Sequence, residues 1–85
     1  MDRKILKEAR KLARRYVLTR TSVYETDDLR HIWLAEDLDL IGCMSQGTTE
    51  EEACNNLKDS RIDFIYFLLE DDMNLPLPTP IKDII

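Results

Sequence analysis

Glycine and proline are scarce in this chain, with only two glycines and three prolines in 85 residues. That composition excludes a collagen-like or low-complexity chain. Sulfur and imidazole are scarce as well: there are two cysteines and one histidine. Two thiols are too few for a disulfide framework in so small a domain, and no second Cys or His pair stands at zinc-like spacing. Cys43 and Cys54 therefore read as reduced, partly buried thiols. No apolar run approaches the length of a membrane span, and charge repeatedly interrupts Met1 to Arg15, where a secretory signal would be apolar. The expected compartment is the cytoplasm.

What is present is a foldable mixture, 44% hydrophobic and 34% charged. The length suits one domain, residues 1–85, near the lower limit of a self-sufficient core, so further burial in a homodimer, a higher oligomer or a bound partner is expected. The net charge of -5 conceals an uneven distribution. Residues 1–20 carry eight of the twelve basic groups against Asp2 and Glu8, a local charge of +6. The rest carries four basic against fifteen acidic groups, a charge of -11. An acidic body is poorly suited to gripping a nucleic-acid backbone and well suited to a basic protein.

Hydrophobic spacing divides the chain into elements. Ile5, Leu6, Ala9, Leu12, Ala13 and Tyr16 recur with helical period, which predicts an amphipathic helix from about Asp2 to Arg14. Tyr16, Val17, Thr19, Thr21, Val23 and Tyr24 are β-branched or aromatic and predict a first strand. After an acidic turn at Glu25 to Asp28, alternation over Arg30 to Glu36 predicts a second strand paired as a hairpin, and Ile41 to Gln46 a third, bulged at Gly42. Thr49 followed by Glu50, Glu51 and Glu52 has the form of a capping box opening a second helix.

In that helix Ala53, Leu57, Ser60, Phe64, Phe67 and Leu68 form one face, with Cys54, Ile62, Ile65 and Leu69 in an adjoining apolar sector. One side should cover the sheet; the other should meet the first helix or another subunit. Asn74 offers a left-handed stop, Leu75 to Pro80 must be extended, and residues 81–85 suit either a short edge strand or a frayed terminus.

The chemistry-bearing residues favour binding over catalysis. Asp37 with Asp39, or Glu50 to Glu52, would be the candidates for metal-assisted phosphodiester chemistry, but the Asp pair flanks a turn and the Glu run is a helix start. His31 reads as a strand-face residue with no placed nucleophile beside it. No catalytic, metal or cofactor residue is assigned, and an enzyme is not expected. The basic face of the first helix, with Arg3, Lys7, Arg10, Lys11 and Arg14, suits nucleic acid, an anionic membrane, or plain solvation of a helix docked on the body. Small Ala9 and Ala13 on the apolar stripe favour docking over membrane contact.

The stretch Trp33-Leu-Ala-Glu-Asp-Leu-Asp-Leu-Ile-Gly-Cys-Met-Ser-Gln-Gly47, then Thr48-Thr-Glu-Glu-Glu-Ala-Cys-Asn-Asn-Leu57, then Leu75-Pro-Leu-Pro78, resembles the HicB family of type II antitoxins. That family's pattern runs aromatic-x-Ala, an acidic-Leu-Pro-Gly-Cys turn, Ser-Gln-Gly, a Thr-x-Glu-Glu-Ala helix start with a following Asn, and a closing Ile-Pro-x-Pro. Here Leu38 and Ile41 replace the turn prolines, and Glu50 replaces a first-turn proline.

The resemblance implies an α+β fold: an N-terminal helix (residues 1–15) followed by a partial RNase H-like β-β-β-α-β core (residues 16–85) with an antiparallel three-stranded sheet. It implies an antitoxin that occludes a small basic mRNA-cleaving HicA-like toxin. Glu36, Asp37 and Asp39 are the expected partner-binding residues. A chain ending at Ile85 would be the short form, without the DNA-binding domain many members carry. The alternative is an orphan regulator that binds nucleic acid or another protein through the basic first helix.

Overall fold

In the computed structural model, which describes residues 1–80 and Lys82, two helices and three strands follow the order helix, strand, strand, strand, helix. These are α1 (Arg3–Ala13), β1 (Thr19–Glu25), β2 (His31–Asp37), β3 (Met44–Gly47) and α2 (Glu50–Glu70). The chain is α+β with an N-terminal helix and a three-stranded antiparallel sheet in the order β1-β2-β3. The choice between edge strand and frayed end over residues 81–85 falls on residues outside those described, Lys82 excepted.

Helix α1 begins because the Asp2 carboxylate accepts from the backbone N–H groups of Lys4 (2.8 Å) and Ile5 (3.1 Å), two of the donors that a helix start leaves unpaired. Its apolar stripe, centred on buried Ala9 and Ala13, packs on α2. Small side chains there let the two helices approach closely. The first helix is thus the element that meets α2 away from the sheet. The helices are also pinned at one end, where the Tyr66 hydroxyl accepts from the Asp2 N–H (2.7 Å) and donates to Glu70 (2.8 Å).

Strand β1 starts at Thr19, later than the β-rich run from Tyr16 suggests. Tyr16 is instead buried in the core, and its hydroxyl donates to the Pro76 carbonyl. The hairpin to β2 closes with Leu29 in the left-handed region (φ 64) and Thr26 N–H bonded to the Arg30 carbonyl at 2.8 Å. The third strand is shorter than expected and begins at Met44. Residues ahead of it make a turn, with Cys43 N–H donating to the Leu40 carbonyl at 3.0 Å, and Gly42 (φ 94) supplies the left-handed step rather than a bulge within a strand.

Helix α2 lies across β2 and β3 on one side and α1 on another. Thr49 caps it by accepting from the Glu52 N–H at 3.1 Å, while the Glu52 carboxylate reaches back to the N–H and hydroxyl of Thr48 rather than to the N–H of Thr49. Its other end is a Schellman turn, with Met73 N–H on the Leu68 carbonyl and Asp72 N–H on that of Leu69. The left-handed residue is Asp72 (φ 56), not Asn74.

The buried row of α2 is Ala53, Leu57, Arg61 and Ile65, joined by Tyr66. Phe67, expected on the covered face, is 54% exposed, and Arg61, which the apolar pattern omits, is buried. Spacing by four residues carries the row straight through position 61, and a charged residue can occupy it because it meets a buried carboxylate.

Candidate functional site

The carboxylate of Asp37, at the end of β2, is the centre of the best-connected polar cluster. Its side chain is 0% exposed, and Arg61 Nε donates to Oδ2 at 2.6 Å. Its other oxygen accepts from the N–H groups of Asp39 (2.9 Å) and Leu40 (3.1 Å), folding residues 38–43 back on the strand. Asp37 N–H in turn donates to the Cys43 carbonyl at 3.0 Å. The remaining reach of Arg61 goes to the Thr19 hydroxyl at 3.3 Å. One carboxylate therefore joins β1, β2, the turn and α2, and among the described residues no buried side-chain nitrogen or oxygen lacks a partner.

Burial near this pair, with the Asp37 charge adding to it, pushes the Cys43 thiol up to about 11. The Tyr16 phenol is raised by the same two causes in the same order. Both groups are thus held protonated and unreactive at neutral pH. Among the described residues no group of three or more His, Cys, Asp and Glu side chains is placed to hold a metal ion.

Asp39 has a different task. Its carboxylate accepts from the N–H (2.8 Å) and hydroxyl (2.7 Å) of Thr79, which fastens the extended proline segment over the turn. Glu36 lies on the sheet face opposite α2 and pairs with Arg20 at 3.2 Å. The three acidic residues picked out by the sequence are therefore not one free patch: Asp37 is enclosed, Asp39 holds the C-terminal strap, and Glu36 faces the other side of the sheet.

Matches between motif residues extend further. Asn56 donates to the Gln46 carbonyl at 2.8 Å, and a Cβ at Gly47 would stand 2.5 Å from the backbone nitrogen of Ala53. Compared with known proteins, the chain matches no family model, no curated protein and no solved structure.

Two rows of exposed charge sit on the helices. Along α2, Glu51, Asn55, Asp59, Asp63 and Phe67 follow one another at four-residue intervals on the exposed side, and Glu70 continues that edge. None of its carboxylates forms an ion pair among the described residues. Sequence reading placed Phe67 inside and so missed this acidic ridge with an aromatic at its end.

On α1, Lys4, Lys7, Arg10, Lys11 and Arg14 border a shallow cavity of about 420 Å³, and Arg3 is exposed on the same helix. These cations also form no ion pair among the described residues. No helix among the described residues is long and apolar enough to cross a membrane.

Proposed function

We propose that the protein is a HicB-like antitoxin, which binds a small basic mRNA-cleaving protein of the HicA type and covers its active surface. The observation that carries this reading is the exposed row Glu51, Asp59 and Asp63 on α2, which forms no ion pair among the described residues and ends at Phe67. A basic ligand is steered to such a row by charge, and an exposed aromatic supplies the apolar anchor that carries affinity in protein interfaces. The proposed contact surface thus moves from Glu36, Asp37 and Asp39 to α2, because Asp37 already neutralises Arg61 and Asp39 already holds Thr79.

The ordered motif supports the same reading. Its parts meet in space through Gln46 with Asn56 and Gly47 with Ala53, while Asp39 holds Thr79 just past the closing Pro78. In this proposal the core is the partial RNase H-like fold of that family, used as a binding scaffold.

A second reading is favoured by the exposed cations of α1, from Arg3 through Lys7, Arg10 and Lys11 to Arg14, which form no ion pair among the described residues and would meet phosphates. One experiment separates the two. Tagged protein is recovered from its native cells, bound proteins are identified by mass, and bound RNA and DNA are assayed in parallel. A small basic ribonuclease in the eluate supports the antitoxin; nucleic acid alone, lost steeply as salt rises, supports the regulator and overturns the antitoxin.

A further inference from the structure

Between the C-terminal half of α1, the middle of α2 and the residues leading into β1 lies a cavity of about 430 Å³. Its apolar wall is made by Ala13 of α1, Val17 of the connection and Ile62 of α2. Arg61 closes one side and is held by Asp37 and Thr19, so its charge is already answered. The volume falls within the range of about 300–1,000 Å³ that small-molecule pockets occupy.

Three further cations line the cavity: Arg10 and Arg14 from α1 and Lys58 from α2. No acidic residue lines it among the described residues, and none of the three cations forms an ion pair among them. Helical spacing accounts for this, because a helical side chain meets the residues three and four positions away. For Arg10 these are Leu6, Lys7, Ala13 and Arg14; for Lys58 they are Cys54, Asn55, Arg61 and Ile62. Arg14 has Arg10 and Lys11 behind it. The C-terminus of α1 makes a favourable place for two cations, but not for Lys58 in the middle of α2. Like charges one turn apart repel, and a third arriving from the facing helix adds to the repulsion until an anion enters.

We propose that this cavity binds a small organic phosphate, a phosphate monoester carried on an apolar body. The two guanidinium groups offer planar forks that suit phosphate oxygens, and Lys58 supplies a point charge from the other helix. The apolar body covers Ala13, Val17 and Ile62, a contribution that inorganic phosphate lacks. A nucleoside monophosphate and a single-chain lipid phosphate both carry this chemistry. The inference stands apart from the antitoxin reading, since Glu51, Asp59 and Asp63 are not in the cavity wall. It differs from a nucleic-acid contact of α1 in requiring Lys58 of α2.

Calorimetric titration of the full chain with phenyl phosphate, inorganic phosphate and phenol tests the proposal. Phenyl phosphate should bind at least about tenfold more tightly than either of the others, and its amide shifts in nuclear magnetic resonance should centre on Ala13, Val17 and Ile62. Adenosine monophosphate and a short-chain lysophosphatidate then separate the two sources, the tighter of them naming the natural body. Lys58→Glu should weaken phenyl phosphate at least about tenfold with an unchanged far-ultraviolet spectrum, whereas Lys4→Glu, the same charge change outside the cavity, should alter it less than about twofold at physiological salt. No binding of phenyl phosphate at millimolar concentration, binding no tighter than that of inorganic phosphate, or equal losses in the two variants overturns the proposal.

Discussion

Arg61 reaches from the middle of α2 to the fully buried carboxylate of Asp37, with 2.6 Å between Nε and Oδ2. The pair occupies a position where helical spacing calls for an apolar residue, so it sets which face of α2 meets the sheet. Removing either partner leaves the other enclosed without compensation, the costly half of buried ion-pair energetics.

Arg61→Met should therefore destabilise the fold by about 3–5 kcal/mol in denaturant titration. Asp37→Asn should cost less, because the amide oxygen still accepts from the turn. The double variant should recover part of the loss, since no charge then remains buried alone. Equal losses for all three would mean that the pair contributes through packing only.

Gly47 is needed for space, with its would-be Cβ 2.5 Å from the Ala53 nitrogen at the start of α2. Backbone cannot yield as a side-chain tip can. Gly47→Ala should push the helix start off β3 and lower stability by about 1–3 kcal/mol. Gly42→Ala meets nothing closer than 3.9 Å, and its cost comes from φ 94 alone. It should be about 1–2 kcal/mol.

Cys43 and Cys54 should differ in reactivity. Cys54 is only half-buried, whereas Cys43 is buried and that burial pushes its thiol up to about 11. Alkylation of the native protein at neutral pH should modify Cys54 first, with Cys43 following only on unfolding. The same shift predicts a pH effect. Because the folded state holds the Cys43 proton more tightly than the unfolded chain, this contribution to stability is complete below the ordinary thiol value of 9.0 and is lost as pH rises toward 11. Cys43→Ala should flatten the decline over that window, leaving the part due to Tyr16.

Release of the proline strap should be local. Asp39→Ala removes both bonds to Thr79 but leaves Tyr16 on the Pro76 carbonyl. Faster hydrogen exchange and proteolysis around residues 75–80, with a global loss near 1 kcal/mol, is the expected result.

Much of the fold is legible in the sequence because local signals agree with it. The stripe of α1, the Thr49 start of α2, the hairpin and the order of elements all follow from periodicity and capping. The misplaced details share one cause: they depend on contacts between distant residues. Tyr16 looks like a strand residue and is drawn into the core by packing and by Pro76. Arg61 looks exposed and is buried by Asp37, twenty-four positions away. Phe67 looks buried and lies outside, because Tyr66 takes the inward position and its hydroxyl finds Asp2 and Glu70. The Asp37 and Asp39 turn was visible, but not that its carboxylates are spent on holding the turn and the strap.

The proposed occlusion of a basic ribonuclease by the acidic row of α2 can be measured by titrating this protein into an RNA-cleavage reaction run by the HicA-like enzyme of the same cells. Cleavage should fall linearly to zero at a fixed molar ratio, and Asp59→Lys with Asp63→Lys should raise the amount needed at least about tenfold without unfolding the protein. Cleavage that continues unchanged in the presence of excess folded protein would contradict it.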